Sequence, residues 1–226
     1  MKAVILAGGY GKRLMPLTSS IPKPLLQVGG KPIIDWQISW LRRSGISSFI
    51  VTCGYLKDKI ISHLEALHRK SDIEIEYAVE KTPLGTGGGL RNARKYVQEE
   101  EFIAVNGDVI TNINLKLLKL GRATTTMALT PLKSTFGIVK TSNGTVRSFE
   151  EKPYIHGYWI NAGAYLMGPD IFEYLPSKGN IEQTAFAVLA ERGLLRSFKY
   201  KNVYWHSIDS IKDIEETDRD LKKGIL

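Results

Sequence analysis

The sequence contains a single cysteine, Cys53, among 226 residues. An intramolecular disulfide is therefore impossible, which fits a reducing cytoplasm. Long apolar runs are also missing, since a transmembrane helix needs about 20 predominantly apolar residues. The apolar start is short and ends in Gly8-Gly9 rather than at a cleavage site, so we expect neither a secretory signal nor contact with a membrane.

Concentrated positive charge is another missing feature. The formal net charge is +8, but the lysines and arginines are scattered, without a long basic run or interleaved aromatic residues. This pattern does not favour nucleic acid as a partner and fits small anions such as a nucleotide and a sugar phosphate. The hydrophobic content of 43% is ordinary for a globular protein, and the length suffices for one domain over residues 1–226.

The first apolar segment leads directly into a run of glycines. Residues 3–7 (AVILA) are typical of a short, buried parallel strand. The glycines that follow have no Cβ, so backbone N–H groups can close on a bulky anion. The residues of this segment predicted to bind a nucleotide are Leu6, Ala7, Gly8, Gly9, Gly11 and Lys12.

Three cations accompany this turn: Lys12, Arg13 and, between two prolines, Lys23. Fixed cations suit a polyphosphate, which predicts a nucleoside triphosphate at the C-terminal end of the first strand. A tight turn with solvated cations is the alternative. The P-loop is excluded because no Lys-Ser/Thr pair follows Gly11, and the dinucleotide fingerprint is incomplete because Leu14 occupies its third glycine position.

Helical and strand patterns alternate downstream. Apolar positions predict a helix from Lys31 to about Gly45, a strand over 48–53, a helix over 57–67 and a strand over 73–78. This alternation predicts a Rossmann-like α/β fold, with a mainly parallel, mixed central sheet flanked by helices on both faces. Ligands of such sheets bind at the C-terminal ends of the strands.

Two later segments fit such a binding edge. Residues 80–93 (EKTPLGTGGGLRNA) contain four glycines, which predict a bare loop that leads into a short helix and lies against a base and ribose; a flexible turn is the alternative. The strand over 102–105 ends in Asn106-Gly107-Asp108. An aspartate at a strand tip can hold Mg²⁺, although this tripeptide is also a common turn.

Short helices are predicted over 115–120 and 180–192, and a hairpin turn at Asn143-Gly144. Ser210, followed by Asp213 three residues later, predicts a capped final helix.

Residues 6–18 (LAGGYGKRLMPLT) and 22–26 (PKPLL) resemble the signature of the sugar-1-phosphate nucleotidyltransferases, roughly L-A-G-G-x-G-T-R-L-x-P-L-T followed by P-K-P. Lys12 departs from this pattern, which usually has Thr there. The resemblance implies the glycosyltransferase-A-like nucleotidyltransferase fold as a single domain, with Mg²⁺ as cofactor. Many relatives add a C-terminal β-helix; this chain ends after its last predicted helix, so we expect none.

The resemblance also implies roles on the nucleotide side of the site. Arg13 would stabilise the leaving pyrophosphate, and Lys23 would contact the α-phosphate. Gly85 and Thr86 match the family's L-G-T-x-G form of the base-binding loop. Asp108 matches the family's G-D motif, whose aspartate binds the catalytic metal.

The second metal ligand of the family can be placed in two registers. The family often has W-x-D-[IV]-G-T-P, and counting from Trp205 puts Ser207 at the aspartate position. The I-D-S run instead matches a variant form whose aspartate is Asp209. A carboxylate is the better Mg²⁺ ligand, so we assign this role to Asp209.

The sugar-phosphate side follows from two further matches. Residues 149–153 (FEEKP) resemble the family's F-x-E-K-P motif, in which Lys152 would bind the phosphate and Glu151 would accept hydrogen bonds from sugar hydroxyls. Gly137 matches a glycine that passes close to the sugar. Asn161 matches the family's N-A-G strand and would bind a sugar hydroxyl.

The implied reaction joins a nucleoside triphosphate to a sugar 1-phosphate, with release of pyrophosphate. The PLGTGG loop and the chain length are most similar to the mannose-1-phosphate guanylyltransferases, so GTP with mannose 1-phosphate is favoured. Enzyme alternatives are UTP or dTTP with glucose 1-phosphate, and a cytidylyltransferase acting on phosphocholine.

Two alternatives come from other functional classes, and the oligomeric state stays open. Lys12 and Ser207 leave room for a non-catalytic nucleotide-sugar sensor on the same fold. Leu14 and the Pro-Lys-Pro frame disfavour an NAD(P)-binding oxidoreductase.

Overall fold

The computed structural model describes residues 1–69, 71–97 and 100–225. The strands are β1 (Lys2–Leu6), β2 (Gln27–Val28), β3 (Lys31–Pro32), β4 (Ser48–Cys53), β5 (Glu74–Val79), β6 (Phe102–Asn106), β7 (Val109–Thr111), β8 (Thr125–Lys133), β9 (Ile138–Ser142), β10 (Thr145–Glu150), β11 (Tyr154–Met167), β12 (Leu195–Lys199) and β13 (Trp205–Ser207). The helices are α1 (Ile33–Arg43), α2 (Lys57–His68), α3 (Gly85–Asn92), α4 (Arg94–Val97), α5 (Ala185–Glu191) and α6 (Ile211–Lys222).

A seven-stranded sheet forms the centre of the molecule, in the order β12-β8-β11-β6-β1-β4-β5. The pairs β1–β4, β1–β6, β4–β5 and β8–β12 are parallel, whereas β11 is antiparallel to both of its neighbours. The expected mainly parallel mixed sheet is therefore confirmed. Because β1, β4 and β6 run in the same direction, their C-terminal ends lie at one edge, where a ligand can reach all three.

The sheet is covered on both faces, as the strand periodicity requires. Ala3 and Ile5 of β1 join a core that includes α1 and α2, whereas Val4 joins the core formed with α3 and α5. All three are fully buried, because successive side chains of a strand point to opposite faces. None of the helices within the described ranges combines the length and apolarity that a bilayer crossing demands.

A third, smaller apolar cluster lies beside the C-terminal strand edge. It joins Leu26, Ile110 and Ile208, and Ile214 of α6 packs against it. These residues flank the segments that carry Lys23, Asp108 and Asp209. The cluster therefore holds three separate stretches of chain next to one another at the binding edge.

The predicted glycine loop over 85–89 is wrong, because these residues form the first turns of α3. A Cβ at Gly87 would lie 2.9 Å from Pro176, and one at Gly88 would lie 2.8 Å from the Ser177 carbonyl oxygen. The glycines thus allow close packing of α3 against residues 176–179, at the cost of about 1 kcal/mol each in helix propensity.

Two predicted helices are shorter than expected. Only Leu115–Leu117 of the first forms a single 3₁₀ turn. In the second, α5 begins only at Ala185, and the preceding segment is held differently: the backbone N–H of Ile181 donates to the hydroxyl of Thr86. The turn at Asn143-Gly144 and the cap at Ser210 are confirmed: both turn residues have positive φ, and Ser210 and Asp213 form a capping box.

Candidate active site

A cavity of about 390 Å³ lies at the C-terminal ends of β1, β4 and β6. All residues predicted on the nucleotide side line it together with both predicted metal ligands. These residues are Leu6, Ala7, Gly8, Gly9, Gly11, Lys12, Arg13, Lys23, Gly85, Thr86, Asp108 and Asp209. Residues from widely separated parts of the sequence therefore converge on one cleft.

The glycine turn after β1 is fixed by close contacts at both of its ends. The backbone N–H of Ala7 donates to the Thr52 hydroxyl of β4 over 3.1 Å. A Cβ at Gly8 would collide with the carboxylate of Glu80. Gly11 has φ of 63°, and its carbonyl accepts a hydrogen bond of 2.9 Å from the Thr18 hydroxyl. The turn thus presents a bare, fixed backbone to the cavity.

Lys23 is the centre of the charged part of the site. Its Nζ lies 2.6 Å from Oδ2 of Asp108 and 3.0 Å from Oδ1 of Asp209. The Arg13 guanidinium contacts the same Asp209 oxygen over 2.8 Å. The Lys23 side chain is 14% exposed, so its two ion pairs are better shielded from water than a surface pair, whereas the Arg13 side chain is largely exposed.

The two carboxylates are also linked through the backbone. The N–H of Ile208 donates to the Asp108 carbonyl oxygen over 2.9 Å, which joins the turn after β6 to the segment before α6. Burial opposes ionisation of Asp209, but Lys23, the Ser207 hydroxyl and Arg13 outweigh it, so the pKa of Asp209 lies below its ordinary value. Asp209 is therefore held as a carboxylate at neutral pH.

The residues of the two registers have different contacts. Ser207 donates its hydroxyl to Oδ2 of Asp209 over 3.0 Å, whereas Asp209 itself contacts the Lys23 ammonium group beside Asp108. Asp108 and Asp209 are the two carboxylates that converge on one cation. Carboxylate oxygens are hard donors, a kind of ligand that fits Mg²⁺.

At the opposite side of the cavity, α3 is fastened to the loop over 179–182. Gly85 has φ of 77°, and a Cβ there would lie 2.7 Å from the Gly179 carbonyl oxygen. The Thr86 hydroxyl donates to Glu182 and accepts from the Ile181 N–H, each over 2.9 Å. In this arrangement the Thr86 hydroxyl holds α3 against the loop, and both residues line the cleft.

Glu80 is a buried residue of the cleft that the sequence patterns did not single out. Its Oε2 accepts a hydrogen bond of 3.1 Å from the Leu84 N–H, and its side chain lies against Gly8 and Gly89. Burial raises the pKa of Glu80, and the Leu84 hydrogen bond offsets part of that rise. The one sequence signal for it was its position after β5, at the same strand edge as Thr52 and Asp108.

The predicted sugar-phosphate residues are not brought together to the same degree. Lys152 lines a second cavity of about 720 Å³, which adjoins the first at Asp209. Among the described residues, Gly137, Glu151 and Asn161 line neither of these two cavities. The Asn161 amide donates to the Tyr165 hydroxyl over 2.7 Å, and its oxygen accepts from the Gly163 N–H.

Gly137 and Glu151 lie beside the β9–β10 hairpin. A Cβ at Gly137 would lie 2.5 Å from the Phe149 ring and 3.0 Å from Glu151. The carboxylate of Glu151 is 4.0 Å from Lys152 Nζ, and both side chains are exposed. The prediction of a sugar site therefore rests on Lys152 alone as a residue of the cavity.

Comparisons with known proteins agree with this geometry. Residues 2–224 match the family model described as "Nucleotidyl transferase". The chain is 33% identical to the mannose-1-phosphate guanyltransferase of Candida albicans in an alignment that covers 94% of this chain and 62% of that protein. It is 32% identical to the mannose-1-phosphate guanyltransferase beta-A of Xenopus laevis, with the same coverage of both chains.

The chain thus spans less than two thirds of the length of these curated relatives. A solved structure of similar size is HddC from Yersinia pseudotuberculosis complexed with GMP-PN. It superposes with a TM-score of 0.76 and 26% identity, over 97% of this chain and 99% of that chain.

Proposed function

The chain belongs to the nucleotidyl transferase family, and we propose that it transfers the nucleotidyl group of GTP to mannose 1-phosphate, giving GDP-mannose and pyrophosphate. The observation that carries this proposal is the contact of Lys23 with both Asp108 and Asp209, in a cleft closed by the glycine turn. The site combines a phosphate-binding backbone, fixed cations and a pair of carboxylates, which are the groups that phosphoryl chemistry needs. We assign this activity to one domain, residues 1–226.

The reaction requires positioning and charge stabilisation rather than a protein nucleophile. An oxygen of the sugar phosphate attacks the α-phosphorus in line, a new P–O bond forms, and the bond to the β-phosphate oxygen breaks as pyrophosphate leaves. Lys23 would hold the α-phosphate, and Arg13 would stabilise the charge that develops on pyrophosphate. Both cations reach into the cavity from the segment that follows the glycine turn.

Asp108 and Asp209 would hold a divalent cation, which we propose to be Mg²⁺. The bound ion would neutralise charge on the phosphate oxygens and orient them. Two features support this role. Asp209 is held ionised, and the backbone hydrogen bond between Ile208 and Asp108 keeps the segments of the two carboxylates adjacent.

Glu80 supports guanine as the base. The Watson–Crick edge of guanine presents two adjacent donors, N1–H and the 2-amino group, which suit a carboxylate acceptor. Uracil and thymine offer one N–H between two carbonyl oxygens, and a carboxylate repels those oxygens. Glu80 lines the cleft beside Gly8 and Gly85, where a base bound next to the glycine turn would lie.

Lys152 supports an anionic acceptor in the second cavity. Asp209 lines both cavities, so an acceptor phosphate held by Lys152 would lie on the Asp209 side of the nucleotide. A flexible lysine on a positive-φ residue can supply a point charge to that phosphate. We infer from the relatives' names that the sugar is mannose.

Pyrophosphate release tests the proposal. A grid would combine GTP, UTP, dTTP, CTP and ATP with the 1-phosphates of mannose, glucose, N-acetylglucosamine and heptose, and with phosphocholine, in Mg²⁺ and in EDTA. We expect the highest rate with GTP and mannose 1-phosphate, and none in EDTA. A blank grid with bound nucleotide sugar would instead identify a non-catalytic sensor.

A further inference from the structure

A buried glutamine of α1 donates hydrogen bonds to the turn that carries Asp108. Gln37 is 1% exposed. Its Nε2 donates to the carbonyl oxygen of Asn106 over 2.6 Å and to that of Val109 over 3.1 Å. These two carbonyls bracket Gly107 and Asp108, so one amide group spans the whole turn.

The orientation of the amide follows from its partners. Both are carbonyl oxygens, which only accept hydrogen bonds, so both must face the NH₂ group with its two N–H donors. The opposite orientation would set the Gln37 oxygen against two other oxygens. Gln37 Oε1 is buried and has no hydrogen-bond partner among the described residues, which identifies the two N–H donors as the polar function of this side chain.

The same turn is fixed on two other sides. The N–H of Gly107 donates to the Leu6 carbonyl oxygen over 3.0 Å, and a Cβ at Gly107 would collide with that oxygen. The Asp108 carbonyl accepts from Ile208. Strand β1 and the segment before α6 therefore contact the turn at its centre, and Gln37 is the support that reaches both of its ends.

We propose that Gln37 is a positioning residue that sets the Asp108 carboxylate at the distance from Lys23 and Asp209 needed to hold the metal. The inference rests on the proposed function. Displacing a reacting or binding group by about 1 Å can cost on the order of 100-fold in rate. Loss of both N–H donors would leave two buried carbonyl groups unpaired and free the turn to shift.

The main test compares Gln37→Met with Trp40→Phe. Met has a similar shape and no donor. Trp40 lies one turn further along α1, and its Nε1 donates to the Ile113 carbonyl oxygen over 2.7 Å. This control also removes a side-chain donor from a buried backbone carbonyl, but at a site that does not flank Asp108.

We expect Gln37→Met to lower kcat by roughly 10- to 100-fold and to weaken Mn²⁺ binding, followed by electron paramagnetic resonance, at least tenfold. The affinity for GTP in EDTA should change less than about threefold in either variant, because neither substitution alters the proposed base contact or the glycine turn after β1. Trp40→Phe should retain Mn²⁺ affinity. Wild-type Mn²⁺ affinity in Gln37→Met, or equal losses in both variants, would overturn the inference.

A second variant covers the case in which Gln37→Met does not fold. Gln37→Glu keeps the shape, and its neutral acid retains one donor, whereas its carboxylate retains none. Its Mn²⁺ affinity relative to wild type should therefore fall as the pH rises from about 6 to 9; a constant ratio would overturn the inference. Absence of turnover in the wild type would defeat the proposed function instead, and the Mn²⁺ measurements would still decide the role of Gln37.

Discussion

Lys23 Nζ lies 2.6 Å from the Asp108 carboxylate, although 85 residues separate them in the sequence. The contact joins the Pro-Lys-Pro segment to the tip of β6 inside the cleft. Asp209 contacts the same ammonium group over 3.0 Å. One lysine therefore contacts both carboxylates that we propose as metal ligands.

Replacing this lysine should remove turnover. Lys23→Ala deletes the proposed contact with the α-phosphate and leaves two neighbouring carboxylates without their shared cation. We expect kcat/KM to fall by on the order of 100-fold or more, measured as pyrophosphate release. Lys57→Ala is the control and should keep wild-type rates, since the Lys57 ammonium group pairs with the exposed Asp58 on the surface. Near wild-type activity of Lys23→Ala would contradict the proposed mechanism.

The two registers of the second metal ligand make opposite predictions. Asp209→Asn should weaken Mn²⁺ binding at least tenfold, because a carboxylate that contacts Lys23 becomes neutral. Ser207→Ala removes one hydrogen bond to Asp209 and should cost no more than roughly three- to tenfold in affinity. A larger loss in Ser207→Ala than in Asp209→Asn would favour the register counted from Trp205.

Glu80→Gln should change the base preference. The amide oxygen would continue to accept from the Leu84 N–H, so the new NH₂ group would face the donors of guanine. We expect kcat/KM for GTP to fall by roughly 10- to 100-fold, as expected for a lost charge-assisted hydrogen bond, with a smaller change for UTP. An equal loss of kcat/KM for both nucleotides would show that Glu80 does not distinguish guanine from uracil.

The same substitution should stabilise the protein at neutral pH. Burial raises the pKa of Glu80 above its ordinary value of 4.5. Because the pKa is raised in the folded state, the contribution of Glu80 to the free energy of unfolding is fully present below the unfolded-state pKa. This contribution is lost as the pH rises through the folded-state pKa. The free energy of unfolding of Glu80→Gln, from urea denaturation, should therefore exceed that of wild type at pH 7. This difference should shrink below pH 4.5; a difference of constant size would contradict the prediction.

Much of the binding edge could be predicted from local patterns. The apolar run of β1 followed by Gly8 and Gly9, and the aspartate at the end of β6, follow from strand periodicity and turn chemistry. The capping box of Ser210 and Asp213 is likewise a local signal. The family resemblance specified the α-phosphate role of Lys23 and added Asp209. In the structure, the Lys23 ammonium group contacts both Asp108 and Asp209.

The errors and omissions all depend on tertiary packing. Gly87 and Gly88 indicated a loop, because glycine disfavours helices, but close contact with residues 176–179 outweighs that propensity. Glu80 and Gln37 carry no motif, and their position becomes evident only when the strands and α1 are assembled. The amide of Asn161 donates to Tyr165, and its contact with a sugar hydroxyl stays a prediction.

The most direct test of the account follows the α-phosphate of GTP. The protein would be incubated with mannose 1-phosphate, Mg²⁺ and GTP labelled at either the α- or the γ-phosphate, and the products separated. We expect the α-label to appear in GDP-mannose and the γ-label in pyrophosphate, in equal amounts. Release of the γ-label as inorganic phosphate alone, or an α-label that stays in free guanine nucleotides, would contradict it.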